Sequence, residues 1–143
     1  MNKNGPVLII EDDFDDQEIL TDVFKKLNYS NEIIFFSTGQ DALDFLMKSE
    51  ISPFIILSDI NLHVLCGFDL RQKLKTDAQL AIKCIPYLYL SSSPAPAVVV
   101  DAYSASAQGF FIKEDTIDKI EKTISLIMEY WKNCIPPVLK KAG

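Results

Sequence analysis

Short apolar runs alternate with longer amphipathic stretches along the chain, and the short runs indicate five strands. Each run is mostly apolar and ends at polar or turn-forming residues, which is typical of strands buried on both faces of a parallel sheet. The predicted strands span residues 7–10, 33–36, 54–57, 87–90 and 109–112.

Between these runs, apolar residues recur every three or four positions and predict helices. The spacing of Thr38 and Asp41 resembles a capping box, which marks one helix start. Strands and helices in alternation predict a single α/β domain with a core of about 6–133, a tail at 134–143 and helices on both faces of the sheet. The five predicted helices are about 15–27, one after Thr38, one after Gly67 that fades at 76–77, about 98–107, and 117–133.

Composition narrows the class of protein. The 143 residues are 48% hydrophobic, enough for one core, and 14 Lys and Arg against 20 Asp and Glu give a net charge of -6 with no basic cluster. Nucleic acid is therefore not expected as a direct partner. The chain shows no membrane-length apolar run and no signal peptide before Val7, so we expect a cytoplasmic protein. Cys66, Cys84 and Cys134 lack metal-ligand spacing and are expected to be free thiols.

Polar residues follow four of the five predicted strands, where the carboxyl ends of parallel strands meet at one edge of the sheet. Carboxylates gathered there repel one another, and a hard divalent cation such as Mg²⁺ relieves the repulsion. Asp59 can then act as a nucleophile toward a phosphoryl group and form an acyl phosphate. The residues are Glu11, Asp12 and Asp13 after the first strand, Asp59 after the third, Ser91 after the fourth and Lys113 after the fifth.

These motifs resemble the response-regulator receiver domain of two-component signalling, over residues 6 to 133. The similar segments are VLIIEDD, ILSDIN, PYLYLS and GFFIK. The resemblance implies a flavodoxin-like, doubly wound, five-stranded parallel sheet of order 2-1-3-4-5 with five helices. It also implies a role for each matching residue: Glu11 and Asp12 as the metal-binding pair, Asp59 as phospho-acceptor and metal ligand, Asn61 as a metal ligand through its carbonyl, Lys113 and Ser91 at the phosphoryl group, and Ser91 and Phe110 as the switch.

The function that the resemblance implies is that of a single-domain response regulator. It would accept a phosphoryl group on Asp59 from a sensor histidine kinase or phosphotransfer protein, with Mg²⁺, and signal to an unknown partner by a conformational change. Such a module is not an enzyme beyond autophosphorylation and slow self-dephosphorylation. The run EDDFDD, with Tyr130, Trp131 and the prolines at 136–137, is similar to stand-alone regulators paired with phytochrome-like kinases.

A homodimer is a further expectation. The fourth helix, fifth strand and fifth helix would form its interface, with Tyr130 and Trp131 as an aromatic patch. A place for Trp131 in the core is the alternative.

Two departures from the family pattern bear on phosphorylation kinetics. His63 and its neighbours stand where a proline usually follows the acceptor, and Glu114 replaces the proline after Lys113. A cis bond costs ~2.5–4 kcal/mol before a residue other than proline, so we predict a trans bond between Lys113 and Glu114. Lys113 is expected to reach Asp59 from that backbone too. His63 is expected on a surface loop, since a phospho-donor histidine would belong on a helical bundle.

Other interpretations stay open. A pseudo-receiver would keep the fold and bind a partner without chemistry. A haloacid-dehalogenase-type phosphohydrolase carries its nucleophile after the first strand with a second Asp two residues on, whereas Asn61 stands two residues after Asp59. A flavodoxin-type FMN site is disfavoured, because no Ser/Thr/Gly-rich loop follows the first strand. Asp13 is either a third metal-site acid or a surface residue.

Overall fold

In a computed structural model, which describes residues 1–59, 67–92 and 95–137, the five apolar runs form one parallel sheet. The strand order is β2-β1-β3-β4-β5, as the resemblance implied. Two predicted strands extend by polar residues, so that β3 ends at Asp59 and β4 at Ser91. The strands are β1 Val7–Ile10, β2 Ile33–Phe36, β3 Ile55–Asp59, β4 Tyr87–Ser91 and β5 Gly109–Ile112.

The described ranges contain six helices, five between strands and one after β5, so the predicted number of five was wrong by one. The additional helix, α4, is a single turn capped by Asp77, whose carboxylate accepts from the N–H groups of Gln79 and Leu80. A helix of four residues is too short to display an amphipathic period. The helices are α1 Phe14–Leu27, α2 Gly39–Lys48, α3 Gly67–Thr76, α4 Ala78–Ala81, α5 Pro96–Ser104 and α6 Ile117–Asn133.

Capping residues fix the ends of several helices. The Thr38 hydroxyl accepts from the Asp41 N–H at 3.1 Å, which confirms the predicted start of α2. Asn28 ends α1 in the left-handed conformation, with φ of 59°. Helix α5 begins two residues earlier than predicted because Pro96 suits a helix's first turn.

The sheet separates two apolar cores, because successive side chains of a strand point to opposite faces. One face packs against α1 and α6, through Val7, Ile9, Leu20, Phe24, Ile55, Leu57, Ile124 and Ile127. The other face packs against the helices from α2 to α5, through Leu8, Ile10, Leu43, Leu46, Ile56, Leu74, Leu80, Tyr87, Tyr89 and Ala102. Both faces are covered, as the apolar runs predicted.

The sheet topology brings the ends of β1 and β3 together. These strands are neighbours, and Ile10 pairs with Ser58, so Glu11 and Asp59 each lie one step beyond that pair. Ile10 is 1% exposed, and the chain turns polar immediately after it. The edge where the acids were predicted to meet is therefore built by two adjacent central strands.

Three remaining expectations concern the chain as a whole. The extent of the domain, with a core of about 6–133 and a tail at 134–143, stays a prediction. Cys84 and Cys134 are free thiols, whereas Cys66 lies outside the described residues. Among the residues that the structure describes, no helix combines the length and the apolar character needed to cross a membrane.

Candidate acidic site at the carboxyl edge of the sheet

Three carboxylates from two strand ends converge at this edge. One ligand oxygen each from Glu11, Asp12 and Asp59 lies within 4.8 Å of the others. Glu11 is 3% exposed, and the other two acids are half-buried. Burial raises the pKa of Glu11, and the charge of Asp59 raises it further, while Lys113 and the Asp13 N–H lower it. Glu11, Asp12 and Asp59 are three of the four acids predicted at the strand ends, and Asp13 is the fourth.

The donor set fits a hard divalent cation. Among the described residues it consists of carboxylate oxygens held close enough to share one ion, and Mg²⁺ prefers a few such oxygens with waters completing its shell. The raised pKa of the buried Glu11 carboxyl reflects a charge that a cation would compensate. Glu11, Asp12 and Asp59 are therefore the residues that could hold the metal.

The ammonium group of Lys113 enters the same site from the residue after β5. Its Nζ lies 2.6 Å from Glu11 Oε2 and 3.7 Å from Asp59 Oδ2, and its side chain is 16% exposed. Burial lowers the pKa of Lys113, but hydrogen bonds to Asp16 and Glu11 and the charge of Asp59 outweigh it and raise that pKa above its usual value. The acids thus hold Lys113 in its charged form.

Asp16 also contacts Lys113, and the sequence reasoning missed this contact. Its Oδ2 lies 2.8 Å from Lys113 Nζ, with the Asp16 side chain 36% exposed. Asp16 lies in the first turn of α1, where an acidic residue suits the helix dipole without any contact to the site. A signal existed: Asp16 stands three and four residues before Ile19 and Leu20, on the apolar stripe of α1.

Ser91 and Phe110 lie on the β4 and β5 side of the site. Ser91 is the last residue of β4 and 3% exposed, and its carbonyl accepts from the Lys113 N–H at 2.9 Å. Phe110 is half-buried, and its ring centroid lies 5.9 Å from that of Tyr89. Tyr89 in turn packs edge-on against Tyr87 at 5.1 Å. An aromatic row therefore runs across the face covered by α5.

Asp13 has a different function in the structure. Its carboxylate caps α1, accepting from the N–H groups of Asp15 at 2.8 Å and Asp16 at 3.2 Å, and the residue is exposed. It is not one of the three acids that share the pocket.

The remaining site predictions concern the loops. Asn61 and His63 lie outside the described residues, so their roles stay predictions. The described residues contain no cis peptide bond, which confirms the trans bond predicted between Lys113 and Glu114. Lys113 lies near Asp59 from that backbone, although its shorter contacts are with Glu11 and Asp16.

Solved structures share this fold over nearly their whole length. The phosphorylated cyanobacterial phytochrome response regulator RcpA has a TM-score of 0.81 at 22% identity, covering 93% of this chain and 98% of that one. The Mn²⁺-bound response regulator Rcp1 has a TM-score of 0.78 at 25% identity, covering 92% and 98%. A response regulator in red light signaling of R. palustris reaches 0.83 at 26% identity, covering 94% and 99%. These similarities confirm the predicted resemblance to phytochrome-associated regulators.

A protein-family model reaches the same result from the sequence alone. The model described as the response regulator receiver domain matches residues 7–125, which include every strand of the sheet and the first half of α6. That match covers well over half of the chain, and the strand order, the acidic pocket and the solved relatives agree with it. The chain belongs to the family of response regulator receiver domains.

Proposed function

We propose that this receiver domain accepts a phosphoryl group on Asp59 in an Mg²⁺-dependent reaction and passes the signal on by a conformational change. The observation that carries the proposal is the position of Asp59 at the end of β3. Its carboxylate shares a pocket with Glu11 and Asp12 and lies 3.7 Å from the Lys113 ammonium. Positive charge is thereby available where a transferring phosphoryl group would place its oxygens.

Each residue of the site has its own role in the proposed phosphoryl transfer. Glu11, Asp12, Asp59 and the Asn61 carbonyl would hold Mg²⁺, which when bound neutralises charge on the transferring oxygens. Asp59 attacks the phosphorus in line, and the bond from phosphorus to the donor histidine breaks. Lys113 balances the charge of the product, and the Ser91 hydroxyl donates to it.

The switch follows from the way Ser91 and Lys113 are joined. The Lys113 N–H donates to the Ser91 carbonyl, so a phosphoryl group drawing both side chains acts on the ends of β4 and β5 together. Phe110 lies on β5 and contacts the aromatic row through Tyr89. We propose that this row has two arrangements and that phosphorylation favours one of them.

The donor and the receiver of the signal are proposed from the family. Receiver domains work with sensor histidine kinases or phosphotransfer proteins, and a phytochrome-like kinase is the donor class that RcpA suggests. The residues around the site suit a docking donor domain, since Phe14 is 77% and Ile117 58% exposed. The downstream partner is a protein that distinguishes the two arrangements.

The first test is uptake of phosphate from a small donor. After incubation with acetyl phosphate and Mg²⁺, intact mass spectrometry should show the addition of one phosphoryl group. A pseudo-receiver would show no addition. Multiple turnover of a small phosphate ester would instead favour a phosphohydrolase, and the proposal holds that this chain performs only autophosphorylation and slow self-dephosphorylation.

Metal binding should depend on the two acids that follow β1. Glu11→Gln and Asp12→Asn each remove one charge from the shared pocket, so each should weaken Mg²⁺ binding by about tenfold or more. Isothermal titration with Mg²⁺ measures the change. Asp41→Asn, on the exposed first turn of α2, is the matched control and should bind Mg²⁺ as the wild type does. Unchanged affinity in both site variants would remove Glu11 and Asp12 from the metal site.

The homodimer expected from the sequence remains a proposal with a defined surface. On the side formed by α5, β5 and α6, Tyr103 is 55%, Leu126 60% and Tyr130 64% exposed. Leu126 and Tyr130 lie four residues apart and share a face of α6. Trp131 is half-buried against the core and stacks edge-on with Tyr130 at 5.0 Å, so Tyr130 carries more of the exposed patch.

Sedimentation with and without acetyl phosphate tests the dimer. We expect the phosphorylated wild type to dimerise and Leu126→Asp to stay monomeric, because a carboxylate in an apolar interface loses its hydration. Leu126 is exposed, so this variant should fold normally. A monomeric wild type at high concentration under both conditions would rule out the dimer.

A further inference from the structure

The Lys113 ammonium is shared among three carboxylates at unequal distances. Its Nζ lies 2.6 Å from Glu11, 2.8 Å from Asp16 and 3.7 Å from Asp59. The first two are hydrogen-bond distances and the third is not, because such bonds are ~2.7–2.9 Å between charged groups. Lys113 is therefore within hydrogen-bond distance of Glu11 and Asp16, but not of Asp59, the proposed phospho-acceptor.

The two acids that hold Lys113 differ in origin. Glu11 follows β1, belongs to the acidic pocket and has a side chain 4% exposed. Asp16 lies on the first turn of α1, is 36% exposed and is not one of the three pocket acids. The catalytic scheme above gives Asp16 no role. Its contact with Lys113 is nevertheless almost as short as that of Glu11.

We propose that Asp16 is a positioning residue that holds Lys113 on the α1 side of the site and competes for its ammonium with a phosphoryl group on Asp59. This inference rests on the proposed function. To reach hydrogen-bond distance from Asp59, Nζ must close by about 0.8 Å. The buried Glu11 carboxylate can keep its bond during that movement, whereas the partly exposed Asp16 carboxylate is the partner that can be released to water.

This competition determines how often Lys113 contacts Asp16, its resting position, and how often it contacts the phosphoryl group on Asp59, its engaged position. Removal of Asp16 takes away a partner that exists only in the resting position, so it favours contact with the phosphoryl group. Because Asp16 is partly exposed, water and salt screen the pair, and the expected shift is modest, about two- to fivefold. Asp16 would thus lower the fraction of molecules in which Lys113 contacts the phosphoryl group on Asp59.

The experiment compares Asp16→Asn with the wild type, with beryllofluoride as a stable mimic of the phosphoryl group at saturating Mg²⁺. We expect Asp16→Asn to bind beryllofluoride about two- to fivefold more tightly. Asp15→Asn removes the same charge from an exposed residue of the same turn and should match the wild type. Asp16→Glu restores a carboxylate and should return the affinity toward the wild-type value. Equal affinities in Asp16→Asn and Asp15→Asn, or weaker binding in Asp16→Asn, would overturn the proposal.

A readout without metal separates this inference from the proposed function. In a crystal structure of metal-free Asp16→Asn, the Lys113 Nζ should lie closer to Asp59 than 3.7 Å, with its contact to Glu11 retained. An unchanged lysine position would count against a positioning role. If the wild type takes up neither acetyl phosphate nor beryllofluoride, the proposed function fails, and this metal-free result still decides whether Asp16 holds the lysine.

Discussion

Asp59→Asn is expected to take up no phosphoryl group from acetyl phosphate, whereas the wild type gains one. The amide has nearly the shape of the carboxylate but is not a nucleophile, so the variant changes the chemistry and leaves the packing of the β3 end intact. Asp59 is half-buried at that strand end, beside Glu11 and Asp12. Intact mass after incubation with acetyl phosphate and Mg²⁺ measures the difference directly.

Controls exclude a loss of fold and a loss of charge as the cause. Asp59→Asn should unfold at a temperature no lower than the wild type, because it removes one of three neighbouring negative charges. Asp15→Asn removes an exposed acid outside the pocket and should be phosphorylated normally. If Asp59→Asn still gains a full phosphoryl group, Asp59 is not the acceptor, and another residue of the pocket has to be sought.

The strands could be predicted because each one carries its own signal. The run 7–10 has the same limits in the structure as in the sequence, since every residue of a doubly covered strand must be apolar or small. The run 109–112 also keeps its limits, although β5 lies at the edge of the sheet and Ile112 is 54% exposed. Helix α6 could be predicted equally well, because its apolar residues recur every three or four positions over 17 residues. The short α4 has no such period. The order of the strands came from the resemblance to receivers, since long-range pairing leaves no local pattern.

The site was predictable only where topology dictates it. The carboxyl ends of parallel strands meet at one edge, which suffices to bring Glu11, Asp59 and Lys113 together. Asp16 reaches the same lysine from a helix, and this contact depends on the rotation of α1 about its axis. That rotation follows from the packing of Leu20 and Phe24 against the sheet, which the apolar stripe of α1 indicates, but only the structure gives the distance from Asp16 to Lys113. The resting position of Lys113 was therefore beyond the sequence argument.

Among the residues that the structure describes, Lys113 is the cation that contacts the acids at this edge of the sheet. Glu11 is buried, and among its described contacts Lys113 and the Asp13 N–H are the groups that favour its ionised form. Asp16 and Asp59 also lie beside this lysine, so Lys113 balances their negative charges as well. Without Lys113, these acids would face one another without its compensating charge until a metal binds.

Lys113→Met should lower the free energy of unfolding by about 2–3 kcal/mol in the absence of Mg²⁺. Removal of one partner from a buried ion pair costs ~3–5 kcal/mol, and the loss here is smaller because Asp16 is partly hydrated and Glu11 can take up a proton. Met keeps the apolar stem of the lysine, so the loss reports the charge. Denaturant unfolding measures it. Lys119→Met, whose lysine is exposed 3.7 Å from Asp115, is the matched control and should change stability by less than about 0.5 kcal/mol.

Mg²⁺ should restore much of the stability that Lys113→Met loses. The ion supplies positive charge to the same carboxylates, and a ligand at 100 times its dissociation constant stabilises the folded state by about 2.7 kcal/mol. The variant should gain more from Mg²⁺ than the wild type does, because Lys113 no longer competes with the ion for Glu11. A variant as stable as the wild type without metal would show that Lys113 is not the cation on which these acids depend. If Lys113→Met is destabilised and Mg²⁺ does not restore its stability, the carboxylates of Glu11, Asp12 and Asp59 are not the Mg²⁺-binding site.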